Sequence, residues 1–173
     1  MIKKKLFLCR RIIKITNMKR TFFLILAVAY VFVAQAQLNA NEKVFQNRIK
    51  SFISEEGYKP EIDSDEDISF KIEGVSYWIH ISEEEDGYFY ASFHIADLGC
   101  VDADKYACRR ASNEVTSEYK IGKCWYSEEN DCISISIQGF YFTPTDFTKF
   151  FTRYAKILKL MRDDLKEYYG KYS

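Results

Sequence analysis

The sequence predicts an α+β domain, an antiparallel sheet of about five strands with helices packed on it. The expected order is α-β-β-β(-β)-α-β-β-α, with a short strand near Ile62 as the optional one. Three observations carry this. Ile133 to Phe142 reads Ile-Ser-Ile-Ser-Ile-Gln-Gly-Phe-Tyr-Phe, which alternates apolar and polar residues as a half-buried strand does. Behind it, Phe147, Phe150, Phe151, Tyr154, Ile157, Leu158, Met161 and Leu165 recur at spacings of three and four, one face of a helix. Upstream, three alternating stretches between Ile68 and Ala96 predict an antiparallel meander. Strands segregated from helices in this way define the class.

The first 36 residues differ from the rest. They hold eight Lys or Arg and no acid. Met18-Lys19-Arg20 forms a basic start, Thr21 to Val33 is almost wholly apolar, and Ala34-Gln35-Ala36 offers a small-x-small cleavage site. That is the pattern of a secretory signal peptide, with translation expected to begin at Met18. An uncleaved N-terminal anchor is the competing reading, although the apolar run is short against the roughly 20 residues of a membrane span. Export would make the product periplasmic or secreted, with no stable membrane anchor after cleavage. Residues 37–173 then form a single domain. They keep all 25 acids but 17 of the 25 bases, a net charge of −8. Such a balance disfavours nucleic acid, whose binding depends on neutralising phosphates, and favours a cationic or neutral partner.

Taken in order, Asn41 is placed to cap a first helix. Val44, Phe45, Ile49, Phe52 and Ile53 form its stripe and Gly57 ends it. Tyr58 to Ile62 is a short strand whose Pro60 confines it to an edge. After the acidic turn Ser64 to Asp67, Ile68, Phe70 and Ile72 alternate with polar residues up to a turn at Glu73-Gly74. Val75, Tyr77, Ile79 and Ile81 then share one face, against Ser76, Trp78, His80 and Ser82 on the other. Past the loop Glu83 to Gly87, Phe89, Ala91, Phe93 and Ile95 oppose Tyr88, Tyr90, Ser92 and His94. Asp102 is the expected cap of a second helix that ends near Tyr119, with a small-residue stripe of Ala103, Tyr106, Ala107, Ala111 and Val115. Ile121 to Tyr126 and Ile133 to Phe142 make a second hairpin. Thr143 caps the last helix, with Pro144 at its first position.

Some of these stretches resemble the YbjN-like family, whose fold is that of type III secretion chaperones. The resemblance rests on Phe52-Ile53-Ser54-Glu55-Glu56-Gly57-Tyr58, on Asp65 to Phe70, on Gly74-Val75-Ser76-Tyr77 and, most distinctively, on the stretch from Asn113 to Lys123. Members carry an Asn-x-x-Asn there, followed by a Lys. Asn113 and Lys120 or Lys123 match, but Thr116 stands where the second Asn would be. The resemblance spans roughly residues 43 to 168. It implies a sheet flanked by helices, often dimeric, that works by binding protein, and it carries no catalytic residues.

Trp78, His80, Tyr90 and His94 share the face turned away from the oily layer. If the connecting loop is symmetric, His80 lies across from Tyr90, with His94 further along. Exposed Trp, Tyr and His make a protein or peptide interface; the plainer alternative is that a helix or a partner protomer covers them. Asn113, near the end of the second helix, either bonds local backbone or contacts a ligand. Four cysteines follow the leader: Cys100, Cys108, Cys124 and Cys132. Export permits disulfides. Cys124 and Cys132 share parity and a suitable hairpin register would pair them, leaving Cys100 with Cys108; the alternative is four buried thiols. Their spacings lack the close pair of a zinc site, and two His alone do not make a metal site. No cofactor is implied.

No Gly-rich phosphate loop or Gly-x-Ser-x-Gly is present, and the acidic clusters fall in turns, so enzymatic chemistry is not expected. The reading favoured by the sequence is an exported, non-enzymatic protein-binding domain, with a protein partner or a second copy of itself. Two alternatives stand beside it. One is a carrier of a small apolar ligand in a cavity lined by Phe70, Tyr77, Phe89, Phe93 and Phe151. The other is an envelope inhibitor or immunity-type protein.

Overall fold

The structure, a computed structural model, describes residues 40–84, 86–99, 104–128 and 131–173, with side chains for all of these except 96–99. The leader reading at residues 1–36 therefore lies outside the described residues. Helix α1 (residues 40–55) precedes β1 (Glu61–Ile62), β2 (Ile68–Ile72), β3 (Val75–Glu83) and β4 (Phe89–Gly99). Then come α2 (Lys105–Glu118), β5 (Lys123–Ser127), β6 (Cys132–Tyr141), α3 (Pro144–Thr148) and α4 (Phe151–Tyr172). The strands form one antiparallel sheet in the order β1-β2-β3-β4-β6-β5. The α+β class holds, with six strands because the short strand at Ile62 is present.

Each element follows from local chemistry, with some departures from the sequence reading. In α1, Phe45, Ile49 and Ile53 recur every four residues and are buried, but Val44, one position off that stripe, is 61% exposed. Asn41 lies inside the helix and does not cap it, since helical backbone already runs at Ala40. Gly57, at φ +90, closes α1. Its N–H bonds the Ser54 carbonyl and the Tyr58 N–H bonds that of Ile53, the paired bonds of a Schellman end. Glu73 and Gly74 both take positive φ, 50° and 82°, and join Ile72 to its partner Val75 as a two-residue type I′ hairpin.

Asp104 caps α2, not Asp102: its carboxylate accepts from the N–H groups of Tyr106 (2.8 Å) and Ala107 (3.4 Å). Asp102 lies outside the described residues, and Asp104 is the residue directly before the first helical position, where a cap must stand. The buried stripe is Ala107, Cys108, Ala111, Ser112 and Val115, while Tyr106 is 67% exposed. Strand β5 starts at Lys123 rather than Ile121, because Gly122 at φ +104 turns the chain just before it.

The final helix is two. Thr143 caps α3 and Pro144 opens it, as read, but the spiral breaks at Lys149-Phe150. Phe150 N–H bonds Phe147 O three residues back (3.0 Å), and the Thr148 hydroxyl donates to Thr145 O (3.2 Å). Such local bonds compete with the helical ladder. Phe150 consequently turns outward, while Phe147, Phe151, Leu158, Met161 and Leu165 stay buried.

All four helices lie on one face of the sheet. Phe70 of β2, Tyr77 and Ile79 of β3, Phe93 and Ile95 of β4, and Ile133, Ile135 and Ile137 of β6 meet them there. Aromatic rings form the centre: Phe151 lies 5.4 Å from Phe93 and 5.8 Å from Phe70, and Tyr77 lies 5.7 Å from Phe70 and 5.6 Å from Phe93. Polar bonds join the outer helices. Tyr119 donates to Asp164, Tyr168 to Glu118 and Tyr172 to Glu114, and Arg110 lies over the Tyr172 ring. The compact unit is Glu42–Ser173, and its buried apolar core runs from Phe45 to Leu165, so it carries its own core. No helix among the described residues is long and apolar enough to cross a membrane.

Candidate functional site: the open face of the sheet

The other face bears no helix among the described residues. Period-two alternation puts Ser76, Trp78, His80 and Ser82 of β3 on it, with Tyr90, Ser92 and His94 of β4. The same parity adds Ser134, Ser136, Gln138 and Phe140 of β6, and Lys123 and Trp125 of β5.

The register differs from the symmetric-loop expectation. His80 lies opposite Ser92, Tyr90 opposite Ser82, and Trp78 opposite His94. The cause is the turn. Glu84 N–H bonds Tyr88 O and Gly87 N–H bonds Glu84 O, so three residues form the loop and Gly87 takes its left-handed position at φ +76. The pairing thus slides by one residue on each strand, which brings Trp78 and His94 together. Their rings stack with centroids 5.9 Å apart and planes at 9°. Burial holds the His94 imidazole below its ordinary pKa, partly offset by the Asp67 carboxylate. His80 is half exposed, and its Nδ1 lies 2.8 Å from the Asp67 carboxylate, tying the acidic turn to the face. In that turn Asp63 accepts from the N–H groups of Asp65 and Asp67, so the acids hold the local backbone.

At one edge a groove of about 660 Å³ runs beside Trp78, lined also by Tyr58, Lys59, Glu61, Ser69 and Lys71. It exists because β1 pairs only Glu61 and Ile62 with β2 and leaves Phe70 to Ile72 without a neighbour on that side. At the far end of the face stand two aromatic pairs, Tyr88 with Phe142 at 4.3 Å and Tyr90 with Phe140 at 5.7 Å.

Trp78, His80, Tyr90 and His94 therefore share one surface. Asn113 does not join them: it is exposed on α2, which packs on the covered face. Thr116, standing in the place of the motif's second Asn, has the defined role. Its hydroxyl donates to Cys124 O (2.8 Å) and accepts from Cys124 N–H (2.9 Å), clamping α2 to edge strand β5. Sequence reasoning passed over Phe140 and Trp125. The signal for Phe140 was present, since it shares parity with Ser134, Ser136 and Gln138.

Cys124 and Cys132 do not form the disulfide that parity allowed. Cys124 pairs with Ile135 and Cys132 with Ser127, an odd offset that puts the two on opposite faces. Burial pushes the Cys124 thiol up to about 12, against a hydrogen bond with Ser112 that lowers it. The suggested partnership of Cys100 with Cys108 rests on a residue outside the described ones. Among the described residues no three His, Cys, Asp or Glu side chains gather to hold a metal ion. The five rings suggested as the lining of an apolar cavity pack on other rings, Phe89 on Phe45 at 4.2 Å and the remainder on one another.

Against known proteins, the chain matches no family model, no curated protein and no solved structure, so the site rests on its own geometry.

Proposed function

We propose that this chain is an exported, non-enzymatic domain that binds protein through the open face of its sheet, in the manner the YbjN-like resemblance implies. One observation carries the reading: an antiparallel sheet whose second face, bare of helices among the described residues, holds Trp78, Tyr90, His94, Trp125 and Phe140. Aromatic residues of this kind are the anchors of interfaces. The occupant is a protein partner or a second copy of the chain, met in the periplasm or outside the cell. The Cys124 thiol is buried and held protonated, so this residue does not supply a thiolate nucleophile.

The test compares residues 37–173 with the Trp78→Ala variant. Light scattering over a concentration series, with and without reductant, reads self-association. Capture from envelope or culture fluid, with mass spectrometry, reads other partners. The expected result is a dimer or a captured protein that is lost in Trp78→Ala while the circular dichroism spectrum stays native. Equal behaviour of the two proteins in both assays would end the reading.

A further inference from the structure

The far end of the open face is chemically distinct from the Trp78 groove. The turn after β3 brings Glu84 and Asp86 beside Tyr88 and Phe140, and these four line a concavity of about 610 Å³. Phe140 is 67% exposed and Phe142 65%, values that a ring normally avoids unless something covers it. Their partners are Tyr90 of β4 and Tyr88 just before it, so four rings form a two-row ladder at this end. Among the described residues no ion pair engages Glu84 or Asp86; the Glu84 carboxylate accepts a hydroxyl bond from Ser82, at 3.3 Å. No basic side chain among the described residues lines the concavity.

Carboxylates without cations beside accessible ring faces are complementary to one chemistry. A guanidinium or ammonium group is drawn to the ring quadrupole and to the carboxylate together, and Arg can stack on a ring while it bonds an acid. The net charge of −8 over residues 37–173 adds a long-range field of the same sign. We infer that this end of the face receives a basic segment of a partner protein, its Arg or Lys side chains seated between Phe140 and the Glu84–Asp86 turn. The inference rests on the open face being a binding surface and names the partner's chemistry at one end of it.

The probe is a fluorescein-labelled octa-arginine peptide, titrated with residues 37–173 and read by fluorescence anisotropy at low salt. Binding is expected, and it should weaken as salt screens the charges. Phe140→Ala should weaken it about fivefold, and the double variant Glu84→Gln/Asp86→Asn about tenfold. The control is Glu55→Gln/Glu56→Gln, two exposed acids at the end of α1, which removes the same charge elsewhere. It should leave affinity within about twofold. Absence of binding, equal loss in the two double variants, or no effect of Phe140→Ala would overturn the proposal. Because Phe140, Glu84 and Asp86 are exposed, these variants should keep the native circular dichroism spectrum. Failure here would leave the Trp78 experiment untouched, since that reads the opposite end of the face.

Discussion

Phe93 and His94 are neighbours on β4 and face opposite ways. Phe93 is fully buried among Phe70, Tyr77, Phe147 and Phe151, whereas His94 lies under the Trp78 ring on the side without helices. The same alternation runs along β3 and β6. On the covered face the residues are Ile, Phe, Tyr and Ala; on the open face Ser recurs between Trp, His, Tyr and Phe. Stability belongs mainly to the first surface. The second has large rings set among small polar residues: Phe140 is exposed, Trp78, Tyr90, His94 and Trp125 are half-buried, and Ser92 and Ser136 are buried between them. A core gains from filling every gap, whereas an interface gains from keeping a few anchors ready.

The largest effect should separate these faces directly. Phe93→Ala leaves a ring-sized cavity at the centre of the aromatic cluster and should cost about 3–5 kcal/mol. Trp78→Ala removes a ring that, among the described residues, stacks on His94 and should cost about 1–2 kcal/mol. Urea denaturation of both variants measures the contrast. Equal losses would mean that Trp78 is part of the core and that the open face is not a separate surface.

The next test concerns the junction where β5 begins. Gly122 has φ +104, and a Cβ there would lie 2.6 Å from Met161 Sδ, a fully buried side chain. Gly122→Ala combines backbone strain with overpacking and should destabilise by about 2–3 kcal/mol. Thr116→Val, which is close to isosteric, strips both bonds from the backbone of Cys124 and should cost about 1–2 kcal/mol. Its specific signature is faster amide exchange in β5 than in β3 or β4. Uniform loosening would show that Thr116 acts on the whole domain rather than on the α2–β5 contact.

Much of this was legible in the sequence, and the gaps have physical causes. Alternation is a short-range signal, so both faces of β3, β4 and β6 could be assigned residue by residue. Register is not short-range. It depends on which loop residue takes the left-handed position, and Gly87, not the midpoint of the acidic run, set the pairing of Trp78 with His94. The Cys124–Cys132 question turned on the same kind of offset, decided by the turn that ends at Asp131, φ +48. Helix ends misled in a different way. Asp102 and Asp104 are equivalent as sequence signals, and only the start of the helix at Lys105 picks out Asp104 as its cap. The break between α3 and α4 was hidden because Phe147, Phe150 and Phe151 fit one helical stripe, whereas the hydroxyl of Thr148 competes locally for the backbone.

The smallest expected effect is the one most specific to the open face. Burial lowers the His94 pKa in the folded state, so the unfolded chain, with a pKa near 6.5, binds the proton more readily. The folded domain keeps the full contribution above about pH 6.5. It loses that contribution as the pH falls from there through the lowered folded value, because protonation then favours the unfolded chain. Three titratable groups act on the imidazole from neighbouring elements: Asp67 and Asp63 raise its pKa and His80 opposes. His94→Gln removes the titration, so the stability difference between wild type and variant should slope upward with pH across this window and be flat above it. A flat difference throughout would place His94 in water. A bound partner that covers Trp78 should steepen the slope, because it buries the imidazole further, and that would tie the face described here to the event it is proposed to serve.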